Sequence, residues 1–211
     1  MNKTKKVIIF GCGGHSKSIA NILFSSKKYK IINFVGNKIK SSKFLNISTI
    51  EEKDFFKIKS KCKNFIIGIG DINKRELCYK KIIKYYPNAV FPSIIHPNTS
   101  ISKDVEIGIG TVVMSNVTIN ISSKIGNFCI LNTSSTIDHD CKLGDYVSIA
   151  PNVSLAGTCH IKNKSFIGIG SSIINNITIG SSVIVGAGSS VINNLKSNNT
   201  FVGNPAKKLK K

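Results

Sequence analysis

The segment Ile137-Asp138-His139-Asp140-Cys141 sets one imidazole between two carboxylates. A neutral imidazole with a carboxylate on its far nitrogen is the arrangement of a general base, because the carboxylate fixes the tautomer and raises the basicity of the other nitrogen. The same spacing also suits a solvated surface histidine with incidental acidic neighbours, and the residue types alone leave both readings open. His15 sits inside the turn Gly11-Cys12-Gly13-Gly14-His15-Ser16 and is better placed to meet a ligand than His96, which precedes Pro97, or His160, which reads as a surface or subunit-contact residue. The six cysteines form no C-x-x-C pair, so neither a zinc site nor a dithiol redox site is expected, and no metal is assigned.

What positions His139 is a repeat. Every sixth residue from Ile95 to Val191 is Ile, Leu or Val, without an insertion. Four places after each aliphatic stands a second series of small or β-branched residues, among them Cys129, Cys141 and Cys159. Such a pattern predicts short strands joined by turns, three to a coil, stacked into a left-handed parallel β-helix in which each coil depends on its neighbours. Both series point inward, so these three cysteines read as compact core hydrophobes rather than nucleophiles. His139 falls at the third place of its hexad, which points away from the interior. Glycine is frequent at the second place (Gly108, Gly126, Gly144, Gly168, Gly180, Gly186), where it is expected to serve a tight or positive-φ corner.

The first 92 residues read differently. Val7–Phe10, Ile31–Val35 and Phe65–Gly70 are predicted strands, with helices through Ile19–Leu23 and around Lys74–Tyr86 and an edge strand at Val90–Phe91. This is a small Rossmann-like α/β domain with a parallel sheet. Its Gly11-x-Gly13-x-x-Ser16 turn lacks the third glycine of a dinucleotide fingerprint, and Gly36-Asn37 stands where the ribose-binding acid would end the second strand. Hydride transfer is therefore disfavoured, while a glycine turn opening a helix still offers backbone N–H groups to a phosphate. The expected organisation is residues 1–92 as the α/β domain, 93–196 as the β-helix and 197–211 as a C-terminal tail.

The formal charge of +20 invites a nucleic-acid reading, but of the 30 basic residues only Arg75 is arginine, the residue that forks onto phosphates and guanine edges. Scattered lysines on solvated faces explain the charge better, with some help in collecting anionic ligands. The opening Met1-Asn2-Lys3-Thr4-Lys5-Lys6 and the short run Val7–Phe10 do not make a signal peptide, and no stretch is long enough to span a membrane, so a cytoplasmic protein is expected.

Together the opening Ile9-Phe10-Gly11-x-Gly13-Gly14-His15, the hexads, the segment Asn132-Thr133-Ser134-Ser135…Asp138-His139-Asp140-Cys141 and the ending Phe201-Val202-Gly203-Asn204-Pro205-Ala206-Lys207 resemble the bacterial hexapeptide-repeat sugar acetyltransferases. That group includes sialic-acid O-acetyltransferases and N-acetyltransferases of nucleotide-linked 4-amino-4,6-dideoxy sugars. The resemblance implies a homotrimer with acetyl-CoA as co-substrate, and a UDP- or dTDP-linked amino sugar acetylated for surface glycan assembly. It implies His139 as base, Asp140 as its partner and the Gly157 N–H as oxyanion donor, with coenzyme A near Ser148, Ile169 and Ala187. It further implies Gly13, Gly14, His15, Asn37 and Gly70 as contacts to the nucleotide-sugar. Ser148 stands where relatives commonly carry a second histidine, which leaves proton transfer to His139 alone. O-acetylation of a sialic acid is the enzyme alternative, and a non-catalytic β-helix scaffold is the alternative of another class.

Overall fold

The structure, a computed structural model, describes residues 4–37, 39, 41–58 and 60–210; the expected domain limits at residues 1 and 211 lie outside them. The chain divides into two compact units, Met1–Pro97 and Asn98–Lys211.

In the first unit, β1 (Lys5–Phe10) leads through a glycine turn into α1 (Gly14–Ser26), and β2 (Tyr29–Gly36) follows. A hairpin of β3 (Lys43–Phe44) and β4 (Ile47–Glu51) runs into the single turn α2 (Glu52–Phe55); β5 (Phe65–Ile67) and α3 (Ile72–Tyr85) complete the fold. The sheet order is β3-β4-β2-β1-β5, with β1, β2, β4 and β5 parallel and β3 antiparallel at the edge. Val7, Ile8, Ile9 and Phe10 are all buried, as a central parallel strand covered on both faces requires. Gly11 carries φ 121°, and a Cβ there would approach the Gly68 carbonyl oxygen to 2.6 Å, so only glycine fits. Ser16, in the place of the missing third glycine, is fully buried and donates its hydroxyl to that same carbonyl at 2.9 Å. A hydrogen bond thus fastens α1 to β5 where a fingerprint would rely on close packing alone.

Two expectations change here. The edge strand at Val90–Phe91 shrinks to one parallel bridge between Asn64 and Val90, held by Phe65 N–H to Val90 O and Val90 N–H to Lys63 O. The β3–β4 hairpin was not expected. Its two-residue loop, Leu45-Asn46, has φ of 51° and 60°, the pair of positive values that a type I′ turn demands, without the Asn-Gly or Asp-Gly pair that usually announces one.

The second unit is the left-handed parallel β-helix. Its two-residue strands pair in parallel with partners 18 residues away, as in Ile119, Ile137 and Leu155, or Leu131, Ile149 and Ile167. The aliphatic series from Val113 to Val191 is buried, and Ile101 and Ile107 pack partly against it. Ile95 breaks the expected inward series. It is 39% exposed while Ile94 is buried, so the inward column begins at Ile101.

From Thr111 onward the small series at the fifth place is buried too, and four of its hydroxyls share one recurring bond, whereas the buried Ser135 hydroxyl has no partner among the described residues. The Thr111, Ser123, Ser165 and Ser171 hydroxyls donate to carbonyls 15 residues on, at 2.7–2.9 Å. The Cys129, Cys141 and Cys159 thiols do the same at 3.1–3.3 Å. Cysteine here is a small core residue whose weak donor caps a backbone acceptor of the next coil.

The glycines at the second place correct the expectation placed on them. Positive φ falls two places later, at Asn116, Ser122, Phe128, Ser134, Asp140 and their equivalents. The second-place glycines are needed for close approach instead. A Cβ on Gly126 would lie 2.5 Å from the Gly144 carbonyl carbon, and one on Gly168 would lie 2.7 Å from that of Gly186. Beyond Lys196, Thr200–Val202 pairs in parallel with Ile184–Val185 and then antiparallel with Lys207–Lys208, while Phe201 and Ala206 pack onto the core. This segment closes the end of the coil rather than trailing from it as a tail. No described helix is long and apolar enough to cross a membrane.

Candidate functional site

His139 lies in the turn after the strand Thr136–Ile137, and its side chain is half exposed. Its ring Nδ1 meets Asp140 Oδ2 at 2.8 Å. The left-handed backbone of Asp140 (φ 59°) is the turn conformation shared by most hexads, and here it holds the carboxylate beside the preceding ring. With Nδ1–H donating to Asp140, Nε2 is left as the basic nitrogen.

Asp138 is held from two sides: its Oδ1 accepts the His139 backbone N–H at 2.8 Å and the Asn120 side-chain amide at 2.8 Å. These bonds, that from Asn120 foremost, keep the Asp138 carboxyl below the usual carboxylate range. The Asp140 hydrogen bond first, and the Asp138 charge second, push the His139 imidazolium pKa up.

Gly157 lies one coil above, 18 residues on. A Cβ at that position would come within 2.5 Å of His139 Cε1 and Nε2, so the ring rests directly against the glycine. Gly157 is buried, its carbonyl accepts the Asn176 N–H at 3.0 Å, and its own N–H donates to no partner among the described residues. An unused backbone donor thus belongs to the glycine against which the His139 ring, with Nε2 free of a partner among the described residues, is packed.

The other implied coenzyme residues occupy different parts of the coil. Ser148 is buried on the face that also carries Ile130 and Phe166, and its N–H donates to Ser165 O at 2.9 Å. Ile169 is exposed, as is Ala187 one coil further on, and both follow strands of that same face. Within one chain His139, Asp140 and Gly157 come together, while Ser148, Ile169 and Ala187 do not join them.

In the α/β unit a cavity of about 480 Å³ opens over the C-terminal ends of β1, β2 and β4. Gly11, Gly13, Gly36, Asn37, Thr49 and Glu52 line it. Gly13 caps α1 with no side-chain hydrogen bond, so the first-turn N–H groups are left for a ligand.

Of the implied nucleotide contacts, Gly13 and Asn37 line this cavity, whereas Gly14, His15 and Gly70 stand beside the turn. His15 Nε2 is buried without a hydrogen-bond partner, and burial together with the Arg75 charge lowers its pKa to about 4. Arg75, the sole arginine, is 1% exposed and donates to the Ile69 and Gly70 carbonyls at 3.1 and 2.7 Å. It braces the loop after β5, and no arginine remains on the surface to read nucleic acid.

Sequence reasoning missed Asn120 and Glu52. A step of 18 back from Asp138 would have found the first; nothing local marks the second.

The profile of the PglD N-terminal domain family matches residues 6–82. Comparison with curated protein sequences finds no match. Among solved structures the chain is similar to a histidine-to-alanine mutant of the GDP-perosamine N-acetyltransferase of Caulobacter crescentus in complex with CoA and GDP-perosamine, at 28% identity and TM-score 0.93, covering 99% of each chain. It is similar also to the acetyltransferase domain of PglB from Neisseria gonorrhoeae in complex with acetyl coenzyme A, at 28% identity and TM-score 0.90, covering 98% of this chain and 100% of that one. A third likeness is to WeeI from Acinetobacter baumannii, at 26% identity and TM-score 0.86, with 98% and 100% covered.

Proposed function

We propose that the chain is an acyltransferase of the hexapeptide-repeat sugar acetyltransferase kind, and that it moves the acetyl group of acetyl-CoA onto the 4-amino group of a nucleotide-linked 4-amino-4,6-dideoxy sugar for surface glycan assembly. The observation that carries the reading is His139, with Asp140 on Nδ1 and the unused Gly157 N–H beside the ring.

In this mechanism the amine attacks the thioester carbonyl, and His139 Nε2 takes the proton that the nitrogen loses as the carbon–nitrogen bond forms. The Gly157 N–H donates to the oxyanion, a contribution of about 3 kcal/mol for one such donor. Collapse breaks the carbon–sulfur bond and releases coenzyme A. Asp140 keeps the ring in the tautomer that leaves Nε2 basic.

The cavity of the α/β unit, with its open helix N-terminus, suits the diphosphate of the sugar donor. The similar Caulobacter enzyme carries GDP-perosamine, so the proposal takes in a GDP carrier beside the UDP and dTDP forms the resemblance implies. A homotrimer belongs to the same proposal. Ser148, Ile169 and Ala187 lie away from His139 within one chain, and the β-helix of a neighbouring subunit would supply them to it.

A thiol-release assay with acetyl-CoA tests the whole reading. GDP-, UDP- and dTDP-linked 4-amino sugars are compared with free sialic acids. Turnover with at least one nucleotide-linked amino sugar is expected, and turnover with the sialic acids alone overturns the choice of an amine acceptor.

A further inference from the structure

The second strand of the α/β unit ends at Gly36-Asn37, without the acid that binds ribose in dinucleotide folds. The structure brings an acid to the same place from another element. Glu52, the first residue of α2, lines the cavity, and its Oε2 accepts the Asn37 side-chain amide at 3.0 Å. Its Oε1 pairs with Lys81, whose ammonium also lies 5.0 Å from the Phe56 ring centroid. The neighbouring Glu51 has a separate task, accepting the Ile39 N–H at 2.7 Å and so tying down the loop after β2.

A carboxylate has about four lone-pair sites, and Asn37 and Lys81 take two of Glu52's, so two remain for a ligand. A carboxylate accepts and repels anions, so its ligand group is a donor and not a phosphate. The sheet order decides which donor. The ends of β1, β2 and β4 stand side by side at roughly 4.8 Å spacing. A diphosphate on the glycine turn lies over β1. The next group of a nucleotide is its ribose, which then lies over β2, where Asn37 holds the Glu52 carboxylate. The base follows over the hairpin, with Phe44 and Thr49 in the wall.

We infer that Glu52, held by Asn37 and Lys81, is the specificity-determining residue that binds the ribose 2′,3′-diol, so that the carrier is a ribonucleoside diphosphate rather than a 2′-deoxyribonucleotide such as dTDP. The inference rests on the nucleotide-sugar reading above and narrows it.

Calorimetric titration of the full chain with GDP, 2′-deoxy-GDP, UDP and 2′-deoxy-UDP tests it, on the wild type and on Glu52→Gln. A hydrogen bond to a charged acceptor predicts that each ribonucleotide binds the wild type at least about tenfold more tightly than its deoxy form. In Glu52→Gln that ratio falls toward one for both bases. A wild-type ratio near one overturns the inference without need of any variant, as does a ratio that survives in Glu52→Gln. If Glu52→Gln weakens GDP against UDP and leaves the ribose-to-deoxyribose ratio intact, the carboxylate reads the base and the diol assignment is wrong. Binding of none of the four, with no acetyl transfer to any nucleotide-linked sugar, overturns the nucleotide-sugar reading and the inference with it. Acetyl transfer together with a wild-type ratio near one overturns the inference alone.

Discussion

The two units build polar sites by opposite means. In the coil, His139, Asp138, Asn120 and Gly157 are related by steps of one or 18 residues, so the repeat that makes the fold also aligns the site. In the α/β unit the cavity residues come from β1, β2, the hairpin and α2, and long-range bonds such as Asn37 to Glu52 fix them. The coil's rigid backbone tolerates an outward histidine because nothing in the core depends on that side chain. The α/β unit also buries polar groups of its own, Arg75 held by the Ile69 and Gly70 carbonyls and His15, whose Nε2 has no partner among the described residues. Chemistry set on the repeat is therefore separable from stability, whereas binding set in the α/β unit is not.

Replacement of His139 by alanine is the strongest test of that separation. The side chain is half exposed and lies outside the aliphatic core, so the melting temperature is expected to stay close to the wild-type value. Acetyl transfer is expected to fall by roughly 10²–10⁴-fold, the usual worth of a positioned general base. A variant that melts early would show that the coil needs the residue structurally. A variant with near-normal turnover would remove His139 from the mechanism and return it to an ordinary surface role.

In the α/β unit the matching test concerns His15, where the structure predicts a stability effect. Its folded pKa of about 4 lies below the ordinary imidazole value of 6.5, because burial and the Arg75 charge oppose the charged ring. Above pH 6.5 the ring is neutral in both states and contributes no pH dependence. Between pH 6.5 and about 4 the unfolded chain takes up a proton that the native chain refuses, so stability falls as the pH drops through that window, by about 3 kcal/mol in all. Four of the five tyrosines, Tyr29, Tyr79, Tyr85 and Tyr86, lie in this unit and the chain has no tryptophan, so tyrosine fluorescence in urea follows its unfolding. His15→Gln should lose less stability than the wild type between pH 7 and pH 4.5. Equal losses would mean that His15 is not held neutral.

The same contrast governs how much could be read from the sequence. Aliphatic periodicity revealed the coil, its inward cysteines and the outward place of His139, because in a repeat one register fixes every side chain. Its failures were local. Ile95 yields to Ile94 at the start of the column, and the second-place glycines serve coil-to-coil contact rather than positive φ. In the α/β unit the strands β1, β2 and β5 were legible from apolar runs. The hairpin was not, because Leu45-Asn46 adopts a type I′ turn without the residues that usually announce one. Missing the hairpin hid Glu52, since that residue follows it directly. Gly157 was reachable only through family resemblance, because its role comes from the stacking of one coil on the next.

Asp140→Asn gives the finest test, because it leaves the imidazole in place and changes only how the ring is held. The hydrogen bond from His139 Nδ1 to Asp140 is the first cause of the raised imidazolium pKa, and the Asp138 charge is the second. A base must be neutral to accept a proton, so a raised pKa places the acid limb of the pH–rate profile above the range of a free histidine. Without the hydrogen bond to the Asp140 carboxylate the imidazolium loses its main support, and the acid limb of kcat/KM should move to lower pH while Asp138 keeps part of the elevation. At pH values where the ring is already neutral the rate should still fall, on the order of tenfold, because an amide no longer enforces the Nδ1–H tautomer. A limb that stays in place would mean that Asp138, anchored by Asn120, tunes the base rather than Asp140. The tuning would then come from the coil below His139 instead of from its own turn.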